Sequence, residues 1–333
     1  FNYYFADGSL IQGLHGNKNM ARELAEKTTI SERKALKYLE DIKRKFKLTE
    51  KVFLYTSIHK FKNYFNLKSL KGFFSPTKIE FYRSMDQANS IKLTDDKSKV
   101  IFNSFASYIG SNPYKTPATL NLIAHLQIDR GTYFIKTGMA TLVKAMTKLA
   151  EELGVNFKTE ETASKINITE NKIDSLSTNK KNYPADVIIS AIDICNVYKK
   201  LLPDKFSDHI ATKQPRSNSA IVFLWGMDKK YDQLIMHNML FNNDQKNEFE
   251  AVFSKFEMPE DSSVYLYISS KFNKEDAPQN GENWFVYLKA PEIKNQDWES
   301  IIKITRQKLI KKFNKLLDDN IEEHIVFEKI LDP

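Results

Sequence analysis

Asp96 and Lys99 stand three residues apart in a stretch that reads as a helix ending near Gly110. A carboxylate and an ammonium one turn apart share a helix face. That spacing serves an acid/base pair working on one cavity, and it equally serves a solvated surface ion pair. The six histidines, His15, His59, His125, His209, His237 and His324, never pair at ligand spacing and no carboxylate cluster joins them, so no metal site is expected. Cys195, the lone cysteine, follows an apolar run where a buried thiol is the expected state, and it excludes an intramolecular disulfide. No G-x-S-x-G, P-loop or kinase signature occurs, which leaves hydrolase and phosphoryl-transfer chemistry without residues. Trp225 and Gly226 in FLWGM, and His237 and Asn238 in MHNMLF, punctuate apolar strands; core and site readings both stand for them.

These residues must be held by a chain of 333 amino acids, long enough for about two domains. Its 23 Phe and 15 Tyr supply rings enough to line a wide apolar cavity. A net charge of +8 comes with no nucleic-acid-binding motif, so no nucleic-acid partner is expected. No run approaches the roughly 18 to 20 apolar residues of a spanning helix, and a reducing, cytoplasmic location at the inner face of the cell membrane is the expectation. The chain starts on Phe1 and ends on EKILDP, and is expected to be a piece of a longer polypeptide.

Asp7 and Gly8 sit between two apolar runs, the composition of a hairpin turn. Helices follow from Asn19 to about residue 125, one of them capped by Ser31. Within them the segment 51–76 carries five lysines, seven aromatics and no acid, a composition that serves docking on an anionic membrane surface and equally serves rings packed inward beneath lysines that solvate the outer face. From Met139 the apolar residues Leu142, Val143, Met146, Leu149, Ala150 and Leu153 keep one face of a helix that Gly154 ends. ASKINI and KIDSLS then form a hairpin about Glu170 and Asn171, and ADVIISAID has the continuous apolarity of a strand buried on both faces. Beyond Pro215 the segments SNSAIVFLWGM, SSVYLYISS and NWFVYLKA predict a separate antiparallel sheet, with helices such as DWESIIKITRQKLIKKFNKLL packed on it.

The ordered series FADGS, SYIGSNPYKTPA, GTYFIKTGMATLVKAMTKLAEELGV, TASKI, ADVIISAIDICNVYKKLLP, FLWGMD, HNMLF and APQNGENWFVYLKAPE resembles the bacterial carotenoid desaturases. These are the phytoene desaturase-like branch of the FAD-dependent amine oxidase superfamily, and the likeness runs over nearly the whole chain. It implies an α/β fold: a partial FAD/NAD(P)-binding Rossmann-like domain plus a mixed sheet-and-helix substrate domain. Residues 1–130 and 204–333 would form the substrate domain, and 131–203 the central segment of the FAD-binding domain. By the same resemblance the chain lacks the amino-terminal dinucleotide-binding motif and the carboxy-terminal flavin-closing segment, so this piece alone is expected to be inactive.

The implied reaction is the oxidation of C–C to C=C bonds along a carotenoid by FAD. Thr137 and Gly138, where the family has Gly-Gly, Ala163 in a strand facing the adenine, and Ser190 and Ala191 at a strand end are the implied cofactor residues. Asp96 falls where some members place a catalytic aspartate, and Lys99 where those members have arginine. A carotenoid isomerase, a carotenoid oxygenase, an amine oxidase or a non-catalytic lipid-binding module are the alternatives.

Overall fold

The computed structural model describes residues 1–53, 57, 60, 80–214 and 216–333. Apart from its first turn and residues 57 and 60, the docking segment 51–76 lies outside them. The chain divides into two units, one of residues 1–134 with 217–333 and one of residues 135–216.

The larger unit begins with strands β1 (Asn2–Tyr4) and β2 (Leu10–Gln12), paired antiparallel about the expected turn, where Gly8 takes φ 84°. Helices α1 (Asn17–Lys27) and α2 (Glu32–Phe53) follow. On α2, Ala35, Tyr38, Leu39, Ile42 and Phe46 are buried at three- and four-residue intervals, the single apolar face that a surface helix needs. Ser31 accepts the Lys34 backbone N–H at 3.4 Å, as its position predicts. Next come α3 (Met85–Lys92), closed by a reciprocal Ser84 and Gln87 capping box, and α4 (Asp96–Ser104), capped by Asp95. With β1 and β2 these helices enclose an apolar core around Met20, Leu24, Ile42, Phe102 and Phe105.

The smaller unit holds α5 (Met139–Glu152) and a three-stranded antiparallel sheet of β3 (Ala163–Thr169), β4 (Lys172–Thr178) and β5 (Asn182–Pro184). The helix and the hairpin stand where their periodicity places them. The apolar run ADVIISAID departs from expectation: residues 185–193 form no strand, and Val187 and Ile189 are exposed. A strand of that type forms only between neighbours that take up its N–H and C=O groups, and the described sheet of this unit ends at β5. The apolar stripe of α5 is likewise uncovered, with no residue of the helix buried.

The chain returns to the larger unit with β6 (Ser219–Met227), β7 (His237–Leu240), α6 (Gln245–Glu250), β8 (Val264–Tyr267), β9 (Glu282–Ala290), α7 (Trp298–Leu317) and β10 (Ile325–Leu331). The late strands do not make a separate sheet. They join β1 and β2 in one seven-stranded mixed sheet of order β10-β6-β9-β8-β7-β1-β2, antiparallel except for β1 beside β7. One face is closed by α7, whose Leu309, Ile310, Phe313 and Leu317 pack with Phe223, Trp225, Trp284, Val286 and Leu288.

Candidate functional site

Side chains alternate across a strand, so cross-strand partners share a face. The register therefore sets two rows on the sheet face opposite α7. Val222, Tyr287, Tyr265, Met239 and Tyr3 form one; Leu224, Phe285, Tyr267 and His237 form the other. A water-facing antiparallel sheet carries polar residues there. This one carries rings and aliphatics, and Leu224, Phe285, Tyr287, Tyr265, Tyr267, His237 and Met239 are all half-buried, while their neighbours toward α7 are buried.

The rings lie side by side. His237 stacks on Phe1 at 4.6 Å and on Tyr267 at 5.1 Å between centroids, and Tyr3 continues the series to Phe241 at 6.0 Å. The Nδ1 of His237 shares a 2.8 Å hydrogen bond with the Tyr265 hydroxyl. Burial pushes the imidazole down to about 4 and holds the Tyr265 phenol well above the usual tyrosine range, so both are neutral near pH 7. The result is two rows without a charged side chain, bounded on β9 by the Glu248–Lys289 pair beyond Tyr287 on the same face, and suited to an apolar, extended molecule.

A neutral buried imidazole also has a consequence for stability. An unfolded histidine titrates near about 6.5, so above that pH both states are neutral and His237 contributes nothing. As pH falls through that value toward about 4, the unfolded state binds the proton and the folded state does not, and stability is lost. His237→Phe keeps the ring stack and removes the proton, so its melting temperature falls less than that of the wild type between pH 7 and 4. Parallel melting curves for the two proteins over that range would remove His237 from the account.

The sequence-derived acid/base pair lies elsewhere on the larger unit. Asp96 opens α4 with its side chain 91% exposed, 2.6 Å from the Nζ of a 29% exposed Lys99. A cavity of about 780 Å³ on this unit is lined by charged groups, among them Lys34, Asp41 and Lys45 of α2, Lys92 of α3 and Glu80 in the turn before it, and neither Asp96 nor Lys99 borders it. Among the described residues no cluster of histidine, cysteine and carboxylates could hold a metal, and no helix is long and apolar enough to cross a membrane.

The sequence-derived cofactor positions all lie in the smaller unit, spread over three segments. Thr137 and Gly138 take φ 72° and 87°, so the threonine adopts the left-handed backbone that a glycine would. The strain at Thr137 is of the kind kept at ligand sites. Gly138 then caps α5 with no side chain over the helix N-terminus, and a Cβ at this glycine would meet nothing within 4 Å. The Thr141 N–H donates to the Gly138 carbonyl at 3.1 Å, which leaves the N–H groups of Met139 and Ala140 for a planar or anionic group, and this fits a flavin nucleotide. Ala163 begins β3, and Ser190 and Ala191 lie exposed in the irregular stretch after β5.

A family model for flavin containing amine oxidoreductase matches residues 2–324. The chain belongs to the flavin containing amine oxidoreductase family. Its flavin is FAD, and the resemblance to the bacterial carotenoid desaturases is borne out by relatives within this family. The chain is 34% identical over its whole length to a 1-hydroxycarotenoid 3,4-desaturase of Flavobacterium sp. (strain P99-3), covering 68% of that protein. It is 30% identical over 80% of its length to a 4,4'-diaponeurosporene oxygenase of Staphylococcus haemolyticus, covering 53% of that relative. A 4,4'-diapolycopene oxygenase of Methylomonas sp is 28% identical over 99% of the chain, with 67% of the relative covered. An oxidoreductase structure from Methanosarcina mazei shares the fold with a TM-score of 0.57 at 11% identity, over 84% of this chain and 64% of that one. A redesigned putrescine oxidase does so with a TM-score of 0.55 at 11% identity, over 99% of this chain and 66% of that one.

The aromatic wall was not singled out from sequence. Its signal was present in VYLYI and WFVYL, where both alternating sets are apolar. An antiparallel strand of that composition needs cover on two faces; α7 covers one, and on the other α6 meets Lys289 and Ser263 while the helical core takes Tyr3 and Met239.

Proposed function

We propose that this chain is the substrate-holding part and a portion of the flavin-binding part of a FAD-dependent carotenoid desaturase. The observation that carries the reading is the uncharged two-row face of the seven-stranded sheet, in a chain whose relatives are carotenoid enzymes. Such a wall binds a polyene by removing its apolar surface from water, at about 25 cal/mol per Å², and holds it extended and dry.

FAD, when bound, supplies the acceptor for the hydride that leaves one carbon of the bond being oxidised. The residues proposed to hold it are Thr137 and Gly138 at the α5 N-terminus, with Ala163, Ser190 and Ala191. The proton lost from the neighbouring carbon requires an acceptor in the site. An Asp96 carboxylate already paired with Lys99 and open to water is a weak candidate for that acceptor. Asp96→Asn is therefore expected to leave turnover within about twofold, because an exposed ion pair contributes roughly 0 to 1 kcal/mol. A loss of about a hundredfold in kcat, the scale of a missing acid/base group, would instead make Asp96 catalytic.

Two of the three relatives are named as oxygenases, which supports oxygen insertion into the same substrate class as the second reading. Mass analysis of products from the natural full-length protein with FAD separates the two. Desaturation removes two hydrogens for each double bond formed. Oxygenation adds oxygen, and its appearance as the main product would overturn the desaturase reading.

A further inference from the structure

The aromatic wall ends at a small polar recess. Beyond the His237 end of its second row lies a cavity of about 160 Å³ bordered by Phe1, His15, Gln127, Gly131 and His237. A water takes about 30 Å³ in the liquid, so the recess has room for a small terminal group and not for the length of a polyene. Two glycines keep it open. A Cβ on Gly13, which also lines it, would come within 2.9 Å of the Tyr3 ring, and one on Gly131 within 3.3 Å of the His15 ring.

Its polar groups are fixed from behind. Gln127 donates to the Tyr3 hydroxyl at 3.1 Å and accepts from Tyr108, which orients the amide. The Tyr265 hydroxyl holds Nδ1 of His237, and Nε2 of that ring has no hydrogen-bond partner among the described residues. An uncharged imidazole at the end of an apolar track, braced on one nitrogen and free on the other, is a recognition element for a neutral polar group.

We propose that this recess binds the hydroxyl-bearing end of a long apolar polyene, with His237 Nε2 as the recognising atom and Tyr265 as its positioning residue. A hydroxyl both donates and accepts, so it pairs with Nε2 in either tautomer; a carbonyl pairs with only one. The unsubstituted hydrocarbon end leaves Nε2 desolvated and unpaired, and is disfavoured. This inference rests on the reading that the sheet face carries a polyene, and it adds which end of the molecule is read and by what.

The test uses the natural full-length protein with FAD and two polyenes that differ only in a terminal hydroxyl, presented in the same detergent micelles. Binding is followed by quenching of protein fluorescence, and conversion separately by the shift of the polyene absorbance. The expected result is a dissociation constant about tenfold lower for the hydroxylated polyene. His237→Phe removes this advantage, bringing the two dissociation constants together, and Tyr265→Phe reduces the ratio between them. If His237→Phe does not fold, the reduced ratio expected of Tyr265→Phe carries the test. Equal affinity for the two polyenes in the wild type, binding of neither, or a preference that survives His237→Phe overturns the proposal. A His237-dependent preference without conversion of either polyene would instead uphold the recess and contradict the desaturase reading.

Discussion

Trp284→Ala is expected to destabilise the larger unit by about 3 to 5 kcal/mol, the range for emptying a buried aromatic position. Trp284 is 1% exposed on the α7 side of β9, with Phe313 at 5.2 Å and Tyr231 at 5.4 Å between ring centroids. Its indole N–H also donates at 2.8 Å to Glu282, a carboxylate itself buried and paired with Lys271. Truncation therefore leaves a cavity and removes one donor from a buried anion, and both effects have the same sign. Trp284→Phe, which keeps most of the volume, is expected to cost less than half as much. Urea unfolding of the three proteins checks this, and an alanine variant within 1 kcal/mol of the wild type, on the order of a surface substitution, would show that the core closes over the gap.

The second large effect concerns a buried charge. Glu248 on α6 meets Lys289 on β9 at 2.8 Å with side chains 1% and 8% exposed, and it accepts hydrogen bonds from the Ser263 hydroxyl and backbone N–H. Glu248→Leu strands the Lys289 ammonium, which costs about 3 to 5 kcal/mol. Lys289→Met in the same chain removes the stranded charge, so the double variant is expected to recover most of that loss. The opposite outcome, a double variant as unstable as Glu248→Leu, would assign the loss to the Ser263 hydrogen bonds.

Much of this architecture was legible before any coordinates. The periodicity of α2, α5 and α7, the turn at Asp7 and Gly8, and the strands β6, β8 and β9 follow from local pattern and turn chemistry. What local pattern does not hold is partnership. Nothing near Asn2–Tyr4 announces that it pairs in parallel with His237–Leu240, more than two hundred residues later, and so merges the first hairpin with the late sheet. ADVIISAID has the composition of a core strand, but composition supplies no neighbour, and residues 185–193 stay irregular. The spacing of Asp96 and Lys99 correctly placed them one turn apart, while only the packing of α4 could say that Asp96 faces water. The wall of Tyr265, Tyr267, Phe285 and Tyr287 was written in doubly apolar strands, whose second face acquires meaning once α7 is seen to cover the first.

The desaturase reading requires that electrons pass from a polyene to the flavin. The most direct measurement is anaerobic mixing of the natural full-length protein, carrying oxidised FAD, with a stoichiometric amount of a hydroxylated polyene. The account predicts that the flavin absorbance bleaches in step with a red shift of the polyene, with one new double bond for each flavin reduced. A flavin that stays oxidised while the bound polyene is unchanged, or is altered only when oxygen is admitted, would contradict it.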